Sequence, residues 1–158
     1  PRWRFLPDAH AAGVGEARLG AGQDRESFLY VHAGQNLSAA LMQRSRLAPD
    51  SDEATRALNS PELTAVASGA AIARAADTVT AAHAIADPSK ATLIEAAAAA
   101  LGAAIVESGT GFAIMGGAVG LDDAFRALVA TQVGSSCEVL PAALGADATL
   151  IGAALAAY

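Results

Sequence analysis

The stretch that most restricts the folds open to this chain is a pair of apolar runs separated by a short polar turn. The first run is Phe28–Val31 and the second is Leu37–Met42. Between them lie Gly34, Gln35 and Asn36, residue types that tolerate the backbone angles of a tight turn. Two apolar runs joined in this way predict a β-hairpin. We therefore expect the rest of the chain to be organised around this hairpin.

The composition predicts one ordinary domain with a core of small side chains. The 158 residues are enough for such a domain. Hydrophobic residues make up 53% of the chain and charged residues 16%, which argues against disorder. Only 4% are aromatic, so Ala, Leu, Val and Ile must fill the core and bury less apolar area per residue. We therefore expect a homo-oligomer, in which a second subunit completes the burial.

Charge and cysteine content exclude two kinds of binding site. The formal net charge is −6 and the isoelectric point is about 4.9, so the chain lacks the clustered basic face that nucleic-acid binding needs. DNA would be contacted only through a domain absent from this chain. The only cysteine is Cys137, so neither an intrachain disulfide nor a cysteine-based zinc site can form.

No stretch of the sequence suggests a membrane anchor or a secretion signal. The alanine run Ala96–Ala100 lies in a segment that also carries Glu95 and Glu107, unlike a membrane span. We expect a cytoplasmic protein without membrane contact. Because the chain starts at Pro1 with a strand-like segment, we interpret residues 1–158 as a single lobe of a longer protein.

Hydrophobic spacing and turn residues predict a series of short strands and helices. The clearest helix starts at Asp87 and Pro88 and ends at Gly109, with an apolar stripe of Leu93, Ala97, Leu101 and Ile105. The other predicted strands are Trp3–Leu6, Arg44–Leu47, Phe112–Met115 and Glu138–Leu140. The other predicted helices are Ala9–Leu19 capped by Asp8, Glu53–Leu58, a helix from Glu62 towards Ala67, Ile72–Ala76, Val79–Ile85, Leu121–Thr131 and Asp147–Ala157.

The order of these elements predicts the fold class. Hairpin strands come first, and helices then alternate with single strands. This order is typical of an α/β domain with a mixed sheet and helices on both faces. It is also the order of a ribonuclease-H-like lobe, the half-domain of actin-like ATPases and sugar kinases.

Four places in the chain resemble the C-terminal lobe of the ROK family (repressors, open reading frames and kinases). The first is DAHAAGVGEARLGAG at residues 8–22, and the second is the hairpin at residues 28–42. The third is LTAVASG at residues 63–69. The fourth is IMGGAV at residues 114–119, followed by LGADATLIGAA at residues 144–154. Together they cover most of the chain and occur in the family's order.

The resemblance implies roles in sugar phosphorylation for three sets of residues. One Asp matches the base that removes the proton from the sugar hydroxyl. Four residues match the phosphate loop of the hairpin tip, and two glycines match the motif on the adenosine side. The residue at the base position is Asp8. The residues at the phosphate-loop positions are Gly34, Gln35, Asn36 and Ser38, and those at the adenosine-side positions are Gly116 and Gly117.

Each of these positions also has a purely structural interpretation. Asp8 suits a helix N-cap, and a glycine pair such as Gly116–Gly117 suits the turn that ends a strand. The family's phosphate loop reads Gly-Thr-Gly-Ile-Gly, because glycines let backbone N–H groups approach the phosphate. Here Asn36 and Ser38 replace glycines, so the tip also fits an ordinary polar turn.

The ligands for sugar and zinc are missing from the expected places. The family's sugar-binding Asn before the catalytic Asp is Pro7 here, and its second Asn is His10. The segment Ala48–Pro61 should carry a Gly-Glu-x-Gly-His motif and a zinc site of one His and three Cys, and it contains no His or Cys. We therefore expect no metal and no cofactor.

These departures favour one function over two others. The leading hypothesis is a non-catalytic ROK-like domain of a transcriptional regulator that serves assembly and ligand sensing, with a sugar or sugar phosphate as the ligand class. The alternative is a fragment of a ROK kinase that phosphorylates a hexose or N-acetylhexosamine with ATP. A third hypothesis is a purely structural oligomerisation module, which Ala-rich helices would suit.

Overall fold

The computed structural model describes residues 7–156, and the predicted strand Trp3–Leu6 lies outside them. The strands, in chain order, are β1 Ser27–Ala33, β2 Leu37–Gln43, β3 Arg46–Leu47, β4 Phe112–Gly116 and β5 Glu138–Pro141. The helices are α1 Asp8–Leu19, α2 Ser51–Ala54, α3 Pro61–Ala67, α4 Gly69–Ala76, α5 Ala81–Ala86, α6 Ala91–Glu107, α7 Gly117–Gly120, α8 Asp123–Val133 and α9 Ala148–Ala156.

The five strands form one mixed sheet in the order β3-β2-β1-β4-β5. The predicted hairpin is present, because β1 and β2 are antiparallel from the pair Ser27–Gln43 to the pair Ala33–Leu37. The next two strands, β4 and β5, continue the sheet in parallel with β1. The α/β fold class and the ribonuclease-H-like arrangement predicted from the sequence are therefore confirmed.

Apolar side chains cover both faces of the sheet. Along β1, Leu29 and Val31 point into one core, and Phe28 and Tyr30 point into the other, as the two-residue period of a strand requires. The first core is closed mainly by α3, α4, α6 and α8, and the second by α1 and α9. The two faces are therefore both buried, although most of the covering residues are small.

A buried carboxylate fixes α1 to the segment before α9. The Glu16 side chain is fully buried. It accepts hydrogen bonds from the backbone N–H groups of Ala21 at 2.7 Å, Ala143 at 3.1 Å and Leu144 at 2.9 Å. Three donors satisfy a charge that would otherwise be costly to bury. Glu16 therefore holds the C-terminal end of α1 against residues far along the chain.

The segment between β3 and α3 protects the outer edge of β2. The Asn59 side chain accepts from the backbone N–H of Ala39 at 2.7 Å and donates to its carbonyl at 3.1 Å. Nearby, the hydroxyl of Ser51 accepts from the backbone N–H of Leu41 at 3.0 Å. β3 pairs only with Met42 and Gln43, so these side chains take the place of a longer edge strand.

Several element boundaries predicted from the sequence are wrong. Asp8 is the first residue of α1 rather than its N-cap; Pro7 holds that position, and no side chain caps the helix. The helix predicted at Glu53–Leu58 is the single turn α2. The helix predicted from Leu121 begins only at Asp123, because the Asp122 carboxylate accepts from the N–H groups of Ala124 and Phe125.

The long alanine-rich helix also starts later than predicted. Residues Pro88–Lys90 form a 3₁₀ turn in which the Asp87 carboxylate accepts from the N–H of Ser89, and α6 follows it. Of the predicted stripe, Ala97, Leu101 and Ile105 are buried, but Leu93 is only half-buried and Ile94 takes its place. The α-helical period of 3.6 residues shifts the buried face relative to a strict spacing of four.

The span Pro88–Glu107 is long and apolar enough to cross a membrane by length and composition, contrary to the sequence-based expectation. This is weak evidence for a membrane span, since the core helix of a folded domain meets the same criteria. Here Ile94, Leu101 and Ile105 of the helix lie in the core beneath the sheet. We therefore treat α6 as a core helix.

Candidate functional site

The residues that the sequence singled out as a site meet at one edge of the sheet. The carboxyl ends of the parallel strands β1 and β4 lie side by side there, with His32 paired to Gly116. This edge carries the hairpin tip, the Gly116–Gly117 turn and the first turn of α1. In open α/β sheets, ligands bind at the carboxyl ends of the strands. The structure thus brings the three predicted sets of residues to one side of the lobe.

The hairpin tip is fixed to α4 by its backbone carbonyls. The Gly34 carbonyl accepts from the N–H of Gly69 at 2.7 Å, and the Gln35 carbonyl accepts from the N–H of Ala70 at 3.2 Å. The N–H of Gly34 donates across the turn to the Asn36 carbonyl at 3.0 Å. The tip therefore caps the N-terminus of α4, and the first amide of the turn is already bonded.

The predicted phosphate-binding residues differ in their surroundings. The side chains of Gln35 and Asn36 are exposed, and Gly34 is buried. Ser38 lies within β2, half-buried and opposite His32 in the strand register. At the exposed tip, Asn36 thus occupies a position where the family's loop has a glycine, and Gln35 occupies the position of its Thr.

Packing alone requires the two glycines that follow β4. A Cβ on Gly116 would overlap the hydroxyl of Tyr30. Gly117 has φ +78°, a conformation that favours glycine, and a Cβ there would lie 2.6 Å from the carbonyl oxygen of Ala33. Close packing therefore explains why both positions are glycine, whether or not an adenosine group binds nearby.

Asp8 is exposed at the start of α1, beside a half-buried histidine on β1. Burial lowers the pKa of the His32 imidazole, and the negative charge of Asp8 acts in the opposite direction. Among residues 7–156, Nδ1 of His32 is a buried side-chain atom without a hydrogen-bond partner. An imidazole in this setting favours the neutral form. Sequence analysis missed His32, whose only signal was its position two residues before Gly34.

His10, two residues after Asp8 on α1, is also half-buried. Burial lowers the pKa of its imidazole, and Asp52 at α2 opposes that shift. Asp8 and His32 therefore bring one carboxylate and one weakly basic ring together at the site edge, whereas His10 faces Asp52.

A cavity of about 230 Å³ opens on the other side of the hairpin tip. Its wall is mostly apolar and comes from the hairpin tip and from the starts of α4, α5 and α7. The lining residues are Gly34, Gln35, Gly69, Thr80, Ala81, Ala82, Ala118 and Val119. Only the tip residues among them were predicted as site residues, since the segment 80–82 carries no sequence signal of its own.

The described residues offer no set of metal ligands. Within residues 7–156, no group of three or more His, Cys, Asp and Glu side chains lies close enough together to hold an ion. Cys137 is buried, and burial raises the pKa of its thiol. A thiol in this state is a poor metal ligand and a poor nucleophile.

Comparisons of the sequence alone find no relatives: no family model matches the chain, and no curated protein matches it. Comparison of the structure does find relatives. A ROK hexokinase from Thermus thermophilus superposes with a TM-score of 0.77 at 25% identity. The alignment covers 94% of this chain and 63% of that one, so the chain spans less than two thirds of the hexokinase.

Two further structures share the fold at lower identity. One is a ROK family glucokinase from Streptomyces griseus in complex with glucose and AMPPNP, with a TM-score of 0.65, 22% identity, and coverage of 96% of this chain and 67% of that one. The other is a ROK family transcriptional regulator, a homologue of the E. coli Mlc protein, with a TM-score of 0.70 and 17% identity. That alignment covers 94% of this chain and 50% of the regulator. The predicted resemblance to the ROK family is confirmed, and the fold is shared by its kinases and its regulators.

Proposed function

We propose that this chain is a non-catalytic ROK-like lobe of a transcriptional regulator, which serves assembly and the sensing of a sugar or sugar phosphate. The observation that carries the proposal is the hairpin tip. A phosphate loop uses glycines so that free backbone N–H groups can approach the phosphate without a Cβ in the way. Here the Gly34 amide is bonded within the turn, and the next two residues are Gln35 and Asn36.

The segment 48–60 supports the same proposal. In the family's kinases this part of the chain is expected to hold sugar and zinc ligands. In this chain two of its polar side chains, Ser51 and Asn59, are bonded to the edge of β2. Side chains engaged in this way support a structural role for the segment. Pro7 before Asp8 also lacks the amide that would hold a sugar hydroxyl.

The alternative, an ATP-dependent hexose or N-acetylhexosamine kinase, is favoured by three observations. Asp8 lies exposed at the edge of the sheet where the family's base is expected. Beside the tip is a cavity of about 230 Å³ with apolar walls, a setting that suits a flat heterocyclic ring. Most of the related structures named above are also kinases.

Ligand binding without nucleotide tests the sensing role in the full-length protein. We expect hexoses, N-acetylhexosamines or their phosphates to raise the midpoint of thermal unfolding when ATP and magnesium are absent. A helix-turn-helix upstream of this lobe would support regulation further. An Asp-x-Gly-x-Thr phosphate motif upstream, with ligand shifts that require ATP, would favour the kinase. The proposal places the protein in the cytoplasm, with no cofactor and no contact with a membrane.

A further inference from the structure

His32 is a polar side chain in the sheet whose hydrogen-bonding groups the fold leaves unused. It alternates with Phe28 and Tyr30 along β1, so its imidazole lies on the side of the sheet that α1 covers. Nδ1 of the ring is buried and has no hydrogen-bond partner among residues 7–156. Because buried polar atoms are almost always paired in folded proteins, His32 is a candidate for binding a group from outside this chain.

The far edge of the imidazole lies against the hairpin tip. A Cβ built on Gly34 would lie 2.9 Å from Nε2 and 3.4 Å from Cδ2 of His32. The ring therefore fills the space that a side chain at the start of the turn would take. Nε2 is the ring nitrogen further from the backbone of β1, and within residues 7–156 it makes no hydrogen bond. It is thus the nitrogen available to a ligand bound beside the tip.

Two further polar side chains lie around the ring. Asp8, exposed in the first turn of α1, is the charged group that acts on His32. Ser38 is paired with His32 across the hairpin, and residues paired in this way have Cβ atoms about 4.5–5.5 Å apart. A carboxylate, an imidazole and a hydroxyl therefore converge from α1, β1 and β2. We name Asp8, His32 and Ser38 the His32 cluster.

The charges at the His32 cluster do not suit an anionic ligand. Burial lowers the pKa of the His32 imidazole, which favours the neutral ring, and the charge acting on it is the negative one of Asp8. The N-terminus of a helix attracts anions, but here the Asp8 carboxylate already lies in the first turn of α1. A phosphate group would therefore add negative charge beside Asp8, with no Lys or Arg among residues 7–156 acting on the ring to balance it.

The hydroxyl groups of a sugar fit the His32 cluster well. A carboxylate accepts hydrogen bonds, a neutral imidazole offers one donor and one acceptor, and a serine hydroxyl can do both. Neighbouring hydroxyls on a sugar ring also donate and accept, so a sugar can pair with all three groups without bringing a charge. A site that hydrogen-bonds a hydroxyl in this way discriminates strongly against ligands that leave its polar groups unpaired.

We propose that Nε2 of His32 binds a hydroxyl of an unphosphorylated sugar, that Asp8 accepts from a neighbouring hydroxyl, and that this pair selects free sugars over sugar phosphates. The inference rests on the proposed sensing function and narrows its ligand from a sugar or sugar phosphate to the free sugar. It gives His32, a residue without a sequence signal, the part of a specificity-determining residue.

Calorimetric titration of the full-length protein without nucleotide tests the selectivity. The probes are glucose, mannose, N-acetylglucosamine and N-acetylmannosamine, each with its 6-phosphate. We expect a free sugar to bind and its 6-phosphate to bind at least about tenfold more weakly. Asp8→Asn should narrow this difference, because it removes the negative charge that repels the phosphate.

Substitutions of His32 separate ligand binding from packing. His32→Leu keeps the approximate size of the side chain but removes both nitrogens, so it should weaken binding of the free sugar at least about tenfold. The amide of His32→Gln reaches as far as Nε2 and should retain most of the affinity, whereas that of His32→Asn reaches only as far as Nδ1 and should not.

Gln43→Leu is the matched control, because Gln43 is an exposed polar residue at the other end of the same hairpin. It should bind the sugar as the wild type does. Circular dichroism checks that each variant is folded. If His32→Leu does not fold, the comparison of His32→Gln with His32→Asn decides the role of Nε2.

The outcomes distinguish this inference from the function on which it rests. Equal sugar affinity of the wild type and a folded His32→Leu, or of His32→Gln and His32→Asn, would show that Nε2 does not bind the ligand. A 6-phosphate that binds as tightly as its free sugar would overturn the selectivity and leave the sensing function standing. A full-length protein that binds none of these probes would overturn the sensing function itself, and this inference with it.

Discussion

Gly152 lies where α9 crosses α1, and a side chain does not fit there. A Cβ at this position would overlap the carbonyl oxygen of Ala11 and lie 2.9 Å from the backbone nitrogen of Gly15. Because the obstacles are backbone atoms, the two helices would have to separate. We expect Gly152→Ala to lower the free energy of unfolding by about 2–3 kcal/mol, measured by urea unfolding.

The same substitution at Gly111 is the matched control. Nothing lies within 4 Å of a Cβ built on Gly111, and its backbone does not have positive φ. We expect Gly111→Ala to change the free energy of unfolding by less than about 0.5 kcal/mol. Equal effects at the two glycines would contradict the close crossing of α1 and α9.

His32 should make the stability of the fold depend on pH. Burial lowers the pKa of its imidazole below the ordinary 6.5. In the interval between the folded and unfolded pKa values, the unfolded chain binds a proton that the folded chain does not. The free energy of unfolding therefore falls as the pH decreases through 6.5, and it stops falling below the pKa of the folded state. His10 contributes in the same direction.

Urea unfolding over about pH 5 to pH 8 measures this dependence. We expect the His32→Gln chain to lose less stability on acidification than the wild type, because one proton-binding group has been removed. Asn36→Ala, which removes no titratable group and lies at the exposed hairpin tip, serves as the control and should keep the wild-type profile. If the His32→Gln and wild-type profiles were parallel, the burial of His32 would not control the acid response.

At the scale of elements, Asn59 holds the segment 48–60 on the edge of β2. Its amide group both accepts from and donates to the backbone of Ala39 and also donates to the hydroxyl of Thr55 at 2.9 Å. Asn59→Ala leaves these backbone groups unsatisfied, so we expect a loss of about 1–3 kcal/mol in the free energy of unfolding. Asn36→Ala at the exposed hairpin tip should cost far less, and a comparable loss there would contradict this role.

Local patterns predicted the elements that are defined locally. The two apolar runs Phe28–Val31 and Leu37–Met42 and the polar turn after Gly34 were enough for the hairpin. The strand at Phe112 followed from its apolar run and the glycines after it. The sequence failed at the start of α1, because Pro7 rather than Asp8 holds the N-cap position. The helix predicted at Glu53–Leu58 was also wrong, because hydrogen bonds from Asn59 to the distant strand β2 help to determine the conformation of residues 48–60.

At the scale of the whole molecule, the candidate site was predicted only in part. Asp8, the tip and the Gly116–Gly117 turn were found through the family pattern, and the structure brings them to one edge. His32 and the cavity wall at Thr80–Ala82 were not found. The segment 80–82 is distant in sequence, and only the packing of α5 against α4 and α7 brings it to the site. His32 lies close to the tip in sequence, but nothing there marks its side chain as part of the site. Their residue types carry no pattern along the sequence.

The central claim is that this lobe has the scaffold of a sugar kinase without its chemistry. The most direct test is ATP turnover by the full-length protein, measured with magnesium and a panel of hexoses and N-acetylhexosamines. The account predicts no sugar-dependent turnover above that of the Asp8→Asn variant. Sugar-dependent turnover in the wild type that Asp8→Asn abolishes would contradict it and would make Asp8 a working catalytic base.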